Sequence, residues 1–320
     1  MATPDNLIDQ FGRFISSLIP DPDDSDKYIK TNEYSVVENA PRLQACPNGR
    51  SMKFAVTEDH RIYDIVRREV LDIPGLDGLS IDRMIAIRIF LTNDGNCYYI
   101  NGFSKTGYSI SEYYQLNGII SIFGGNDILT KSGRWLHSVT HEEMRIVQNS
   151  PVPCERLPTI DEVLIIRDYY IVSTIGLFWC NTQHEGTVNR LTSGPGVIDV
   201  ISYNSPEVNV TSVHAMLEDG RVYTHCYNSN VIPIAYELPL NGEPSEHWKL
   251  NEVFNKLNEE CKWVKMMMFG CHIVIHNKMG QVFSIGRAQG EETMTSLTQL
   301  YIPMDCFIVI ESGRRVKSSR

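Results

Sequence analysis

The chain has 320 residues, of which 42% are hydrophobic and 21% are charged, and its formal net charge is −10. This composition is typical of a folded protein with one large or two ordinary domains, and it excludes a chain that is disordered throughout. The negative charge argues against direct binding of nucleic acid or an anionic membrane, because both need clustered positive charge.

The first segment with a clear pattern is NLIDQFGRFISSLI, residues 6–19. Its apolar residues recur at helical spacing, which predicts a short N-terminal helix. The acidic stretch PDPDDSDK would end that helix, so residues 1–32 are expected to form a helix and linker before a single domain over 33–320. The helix would either pack over that domain or dock a protein partner through Phe11, Phe14 and Leu18.

From about residue 54 onward a short motif recurs: an apolar run, a few polar residues, a turn residue, then an apolar pair that often ends in an aromatic residue. Examples are KFAVTEDHRIY and HIVIHNKMGQVFS. Glycine fits the turn because it adopts positive φ, and histidine is a tolerated exception. The residue five positions before the turn is apolar in every copy. The seven turn residues are His60, Gly95, Gly133, Gly176, Gly220, Gly280 and Gly313.

Seven repeated hairpins predict an all-β, seven-bladed β-propeller. A single hairpin cannot bury both of its faces, whereas repeated blades cover one another. The mean spacing of about 42 residues fits a four-stranded blade. Unrelated hairpins in a β-sandwich are the alternative. The last copy lacks material after its turn, so residues 33–56 are expected to complete the sheet that contains residues 305–318 and to join the chain's two ends.

The segment KWVKMMMFGCHIVIHNKMGQVFSIG resembles the repeat of the regulator of chromosome condensation family. LEDGRVYTH and LTNDGNCYYING match the second half of that repeat, and Ile285 replaces the family's second tryptophan. The resemblance implies a seven-bladed propeller, and the founding member of the family is a guanine-nucleotide exchange factor for a small GTPase. The residues that carry it are Trp263, Gly270, His272, Gly280, Val282, Phe283, Ser284 and Gly286.

The long gap between the fifth and sixth turns contains PLNGEPSEHWKLNEVFNKLNEECKW. Its apolar spacing predicts a short helical insertion. Insertions in propellers lie on the faces where partners bind. Trp248 and Phe254 are therefore predicted partner contacts, together with the N-terminal residues named above. The alternative is that both segments fold back to cap the propeller.

Motifs for catalysis are absent from the sequence: there is no phosphate-binding loop, no zinc-protease motif and no nucleophile elbow. We therefore assign no catalytic, cofactor-binding or metal-binding residue. Eight scattered cysteines without a C-x-x-C pair indicate reduced thiols in an intracellular, cytoplasmic or nuclear protein. The sequence favours a non-enzymatic scaffold that binds protein partners. The alternative is a guanine-nucleotide exchange factor or other regulator of a small GTPase. An enzyme with its site in the propeller channel is a third hypothesis, supported by the fold's general capacity alone.

Overall fold

The structure is a computed structural model. The residues that it describes are 6–8, 11–44, 53–86, 88–104, 107–114, 118–123, 127–137, 142–167, 169–180, 186–205, 210–228, 235–243, 245–258, 263–269, 272–279, 281–287, 294–300, 307–309 and 316–317.

The described elements are almost all β-strands. The first fourteen strands are β1 (Asn6–Ile8), β2 (Phe14–Asp21), β3 (Asp24–Val36), β4 (Leu43–Gln44), β5 (Phe54–Thr57), β6 (Ile62–Asp64), β7 (Glu69–Val70), β8 (Ile81–Ala86), β9 (Ile89–Thr92), β10 (Cys97–Ser104), β11 (Gly107–Tyr114), β12 (Ile119–Phe123), β13 (Asp127–Thr130) and β14 (Trp135–His137). The next nine are β15 (Arg145–Ile146), β16 (Val163–Arg167), β17 (Tyr170–Ser173), β18 (Gly176–Cys180), β19 (Thr187–Arg190), β20 (Val197–Ser205), β21 (Val210–Leu217), β22 (Val222–Asn228) and β23 (Lys249–Leu250). The last six are β24 (Trp263–Phe269), β25 (His272–Asn277), β26 (Val282–Arg287), β27 (Met294–Leu300), β28 (Phe307–Val309) and β29 (Val316–Lys317). A 3₁₀ helix (Ile160–Glu162) and one α-helix, α1 (Glu252–Asn258), complete the described set.

The strands form seven sheets, so the fold class is the seven-bladed β-propeller that the repeat predicts. In chain order the sheets are β28-β1-β2-β3-β29, β4-β5-β6-β7, β11-β10-β9-β8, β12-β13-β14, β15-β19-β18-β17-β16, β20-β21-β22-β23 and β24-β25-β26-β27. The predicted helical insertion between the fifth and sixth repeats is confirmed, because α1 lies there.

The same hairpin register recurs from sheet to sheet. The apolar residue five positions before the turn residue pairs with the residue three positions after it. The pairs are Leu7 with Ile15, Ala55 with Tyr63, Phe90 with Tyr98, Ile128 with Leu136, Ala215 with Tyr223, and Ile275 with Phe283. The hairpin at Gly176 is displaced by one residue, since Ile171 pairs with Phe178. His60 adopts φ 61, as expected for a residue in the glycine position.

The predicted N-terminal helix is wrong, because residues 6–8 and 14–21 are strands of a hairpin. Gly12 turns the chain with φ 76, and a Cβ there would lie 2.9 Å from the carbonyl oxygen of Leu43. The predicted acidic linker is also wrong in part, because β3 runs through it and across the proposed boundary at residue 32. The single domain over 33–320 stays a prediction.

The two ends of the chain meet in one sheet, here called the closing sheet: β28 pairs with β1, and β29 pairs with β3. The N-terminal strands of this sheet come from residues 6–36, whereas residues 33–56 were expected. The seventh predicted copy is wrong as a hairpin, because β28 and β29 occupy opposite edges of the closing sheet. Gly313 itself lies outside the described residues. The seventh hairpin is instead the one at Gly12, so the predicted count is right and one copy was misplaced.

The chain divides into two compact units. The first contains residues 1–119, 267–270 and 300–320, and the second contains residues 120–266 and 271–299.

In the first unit the core joins the closing sheet to the next two sheets. Phe14, Phe54 and Phe90 are each at most 1% exposed. Arg68, in the turn after β6, donates hydrogen bonds of 2.9 Å to Ser16 Oγ and to the carbonyl oxygen of Leu18. Its guanidinium also lies 4.5 Å from the ring centroid of Tyr28. This one side chain therefore ties the closing sheet to its neighbour.

In the second unit a buried ion pair links three sheets, through β16, β20 and β24. Arg167 Nε lies 3.3 Å from Asp199 Oδ1, and the two side chains are 6% and 2% exposed. The other carboxylate oxygen of Asp199 accepts a 2.8 Å hydrogen bond from the amide of Met266. Burial raises the pKa of Asp199, and the charge of Arg167 opposes that rise. No local sequence pattern indicates this pair, because its two members lie in different blades.

Candidate protein-binding site

The five residues predicted to contact a partner differ in their exposure to solvent. Phe14, Leu18, Trp248 and Phe254 are buried, with exposed fractions of 3% or less. Phe11 is 58% exposed, in the turn between β1 and β2. The Arg13 guanidinium lies 5.4 Å from the centroid of its ring. The four buried side chains belong to the core, so Phe11 is the member of the set that remains accessible to a partner.

The insertion packs back onto the second unit through its aromatic residues. The indole N–H of Trp263 donates a 2.9 Å hydrogen bond to the carbonyl oxygen of Phe254, and the two rings meet edge to face at 6.5 Å. The indole N–H of Trp248 donates to the carbonyl oxygen of Tyr236 at 3.2 Å. Asn251 accepts from the Phe254 amide at the start of α1. The insertion is therefore an ordered part of the second unit.

Folding back leaves an aromatic cleft, which we define by the residues Tyr170, Trp179, Leu191, His225, Tyr227, Ala235, Tyr236 and Trp248. Its walls carry no charged side chain. Its enclosed space is about 20 Å³, which is room for little more than the tip of one side chain. Tyr227 and Tyr236 are half-buried, whereas Tyr170, Trp179 and Trp248 are buried.

His225 organises the aromatic cleft. Its Nδ1 lies 2.9 Å from the carbonyl oxygen of His247, and its ring is 5.3 Å from that of Trp248. Tyr236 stacks on the ring of His247, with 3.3 Å between the centroids. Burial lowers the pKa of His225, so its imidazole is neutral near pH 7. The cleft is thus an uncharged aromatic surface, which suits an apolar side chain.

Sequence reasoning missed most of this cleft. It singled out Trp248 for its size and its place in the insertion, but it did not connect Trp248 with His225 or Tyr236. The available signal was HCYN, residues 225–228, where β22 continues well past its turn, followed by a second aromatic group around Tyr236.

A second feature, in the first unit, is a groove beside the His60 turn that encloses about 660 Å³. It lies between the turn of the β5–β6 hairpin and the loop that joins β7 to β8. We call it the His60 groove. Its walls are Asp59, His60, Arg61, Val70, Leu71, Asp72, Ile73, Leu76, Asp77, Gly78, Leu79, Ser80 and Ile81.

The described part of the chain contains neither a metal-binding cluster nor a membrane-spanning helix. No group of three His, Cys, Asp or Glu side chains among the described residues is placed to hold a metal ion. Among the helices of those same residues, none is long and apolar enough to cross a bilayer.

Comparison with solved structures finds similar propellers. Human WBSCR16 matches with 13% identity over 90% of this chain and 89% of its own, with a TM-score of 0.45. Prp20p from Saccharomyces cerevisiae, studied with its binding to Gsp1p and histones, matches with 11% identity over 94% and 87% and a TM-score of 0.44. Yeast RCC1 (Prp20), in its complex with Kap60, matches with 10% identity over 93% and 84% and a TM-score of 0.46.

The chain resembles propellers of the regulator of chromosome condensation type. The three TM-scores are below 0.5, so the fold class rests on the seven sheets and their shared hairpin register. No family model matches the sequence. No curated protein matches it either.

Proposed function

We propose that this protein is a non-enzymatic β-propeller that binds a protein partner through the aromatic cleft. The observation that carries the proposal is the grouping of His225, Tyr236 and Trp248 at the interruption of the repeat. Aromatic side chains with a polar tip often dominate the binding energy of protein interfaces. An uncharged cleft favours an apolar side chain of the partner as its occupant. Tyr170 and Trp179, the hairpin residues that line the cleft, are buried, so the accessible rim of the cleft comes from Tyr227 and from Tyr236 of the insertion.

Regulation of a small GTPase is the narrower form of this proposal. It is supported by the resemblance of the sixth repeat to the regulator of chromosome condensation family. The exchange residues of that family do not map onto this sequence one by one, so the proposal assigns no exchange residue.

The first test is affinity purification of the tagged full-length chain with quantitative mass spectrometry. The variant is Tyr236→Ala, which removes the half-buried ring from the rim of the aromatic cleft. The matched control is Leu250→Ala, because Leu250 is an exposed apolar residue on β23 that lies outside the cleft. We expect Tyr236→Ala to lose a partner that the wild type and Leu250→Ala both retain, with melting temperatures within about 2 °C of one another.

The same partner set for all three proteins would contradict the cleft as the binding site. A markedly lower melting temperature for Tyr236→Ala would instead assign the Tyr236 ring to the core. Phe11→Ser, run in parallel, tests the exposed Phe11 as a separate contact. Any GTPase recovered would then be loaded with labelled nucleotide, and its release rate would be measured with and without this protein. An unchanged rate would argue against exchange activity and leave binding intact.

A further inference from the structure

The His60 groove combines an apolar floor with acidic walls. Leu71, Ile73 and Ile81 form the floor and are at most 8% exposed. Asp59, Asp72 and Asp77 stand exposed around it. The enclosed volume of about 660 Å³ is in the range of clefts that hold ligands, about 300–1,000 Å³.

The charge of the His60 groove is not balanced within the groove. Arg61 is engaged by Asp59, since its Nη2 and Nε lie 2.5 and 2.6 Å from Asp59 Oδ2. Asp72 and Asp77 have no hydrogen-bond or ion-pair partner among the described residues. The groove therefore presents two uncompensated carboxylates beside an apolar surface.

The fifth hairpin offers an internal comparison. The two turns have nearly the same sequence, with Glu-Asp-His-Arg at residues 58–61 and Glu-Asp-Gly-Arg at residues 218–221. The arginine pairs with the aspartate in both, because Arg221 Nε lies 2.6 Å from Asp219. The first turn differs in having His60, whose Nδ1 lies 2.7 Å from the carbonyl oxygen of Ile81 and so joins the turn to the first residue of β8, whose side chain is part of the groove floor.

We infer that the His60 groove is a docking site for an extended segment of a partner protein that carries lysine or arginine beside a large apolar residue. The basic side chains would approach Asp72 and Asp77, and the apolar one would lie on the floor formed by Leu71, Ile73 and Ile81. Complementary charge steers association and sets specificity. The same carboxylates would repel a phosphate backbone, so the occupant is a peptide and not a nucleic acid. This site goes beyond the proposed function and does not need the aromatic cleft.

The test uses fluorescence anisotropy with a short labelled peptide of alternating lysine and leucine. The variant Asp72→Asn/Asp77→Asn removes both uncompensated charges. The matched control, Glu218→Gln/Asp219→Asn, removes the same net charge from the fifth turn. We expect the groove variant to weaken binding by about tenfold or more, and the control by less than about twofold. Tyr236→Ala should bind the peptide like the wild type, which separates this site from the aromatic cleft.

A second variant, His60→Gly, gives the first turn the sequence of the fifth. It should keep the fold, because glycine tolerates positive φ, while it weakens peptide binding by removing a wall of the groove. Failure of the wild type to bind the peptide would overturn the inference. Equal losses in the groove variant and the control would also overturn it, because they would show attraction to overall charge alone.

Discussion

The N-terminal hairpin of the closing sheet and the insertion around α1 look alike in sequence and differ in structure. Both segments carry large apolar residues at a spacing that suits a helix. The insertion does contain a helix, with Phe254 buried on it. The N-terminal segment forms two strands about Gly12, with Leu7 opposite Ile15. Apolar spacing alone therefore does not separate the two cases, whereas a glycine in register with the repeat does.

The largest effect should come from the buried aromatic residue of each region. Phe14→Ala and Phe254→Ala should each lower the free energy of unfolding by about 3–5 kcal/mol, because each leaves a cavity in a packed core. Phe11→Ala should change it by less than about 0.5 kcal/mol, because its ring is exposed. Urea unfolding measures all three. Intact stability in Phe14→Ala would show that the N-terminal hairpin is not part of the core.

The insertion should also make stability depend on pH through His214. The His214 ring lies 6.3 Å from that of Phe254, and burial lowers its pKa to about 3. In the unfolded chain its pKa is about 6.5. As the pH falls below that value the unfolded state gains a proton that the folded state cannot take up. Stability should therefore fall by up to about 1.4 kcal/mol per pH unit.

His214→Gln should remove this contribution, so its stability should change less steeply between pH 6.5 and 4 than that of the wild type. Unfolding free energies at several pH values provide the measurement. Parallel curves for the two proteins would mean that His214 becomes protonated in the folded state.

In the closing sheet we expect a stabilising effect from Arg68, which contacts β2 and the Tyr28 ring. Arg68→Ala should cost about 2 kcal/mol, because it removes two hydrogen bonds to β2 and the contact with the Tyr28 ring. The control is Arg134→Ala, which removes an exposed ion pair with Glu143 and should cost less than about 0.5 kcal/mol. Similar small losses in both would show that Arg68 does not hold the closing sheet.

Most of the fold that could be predicted from the sequence was predicted from the repeat. Tight turns need positive φ at one position, so glycine and His60 mark them in the sequence. The prediction missed Gly12 because Leu7, Phe14 and Leu18 also fit a helix. Gly313 was misassigned because local pattern does not reveal which strands pair across the whole chain. The same limit applies to the aromatic cleft, since Trp179 and His225 come together only after two blades have folded.

The sign of one stability change tests the central claim, that the repeat begins at Gly12. In a helix, Gly12→Ala would stabilise the protein by up to about 1 kcal/mol. In the hairpin it should destabilise, because alanine in the left-handed region costs about 1–2 kcal/mol and its Cβ would crowd the Leu43 carbonyl oxygen. Gly133→Ala is the matched control, since Gly133 has φ 79 and open space around its Cβ position. We predict that both variants lose stability in urea unfolding and that Gly12→Ala loses more. A gain in stability for Gly12→Ala would contradict the account.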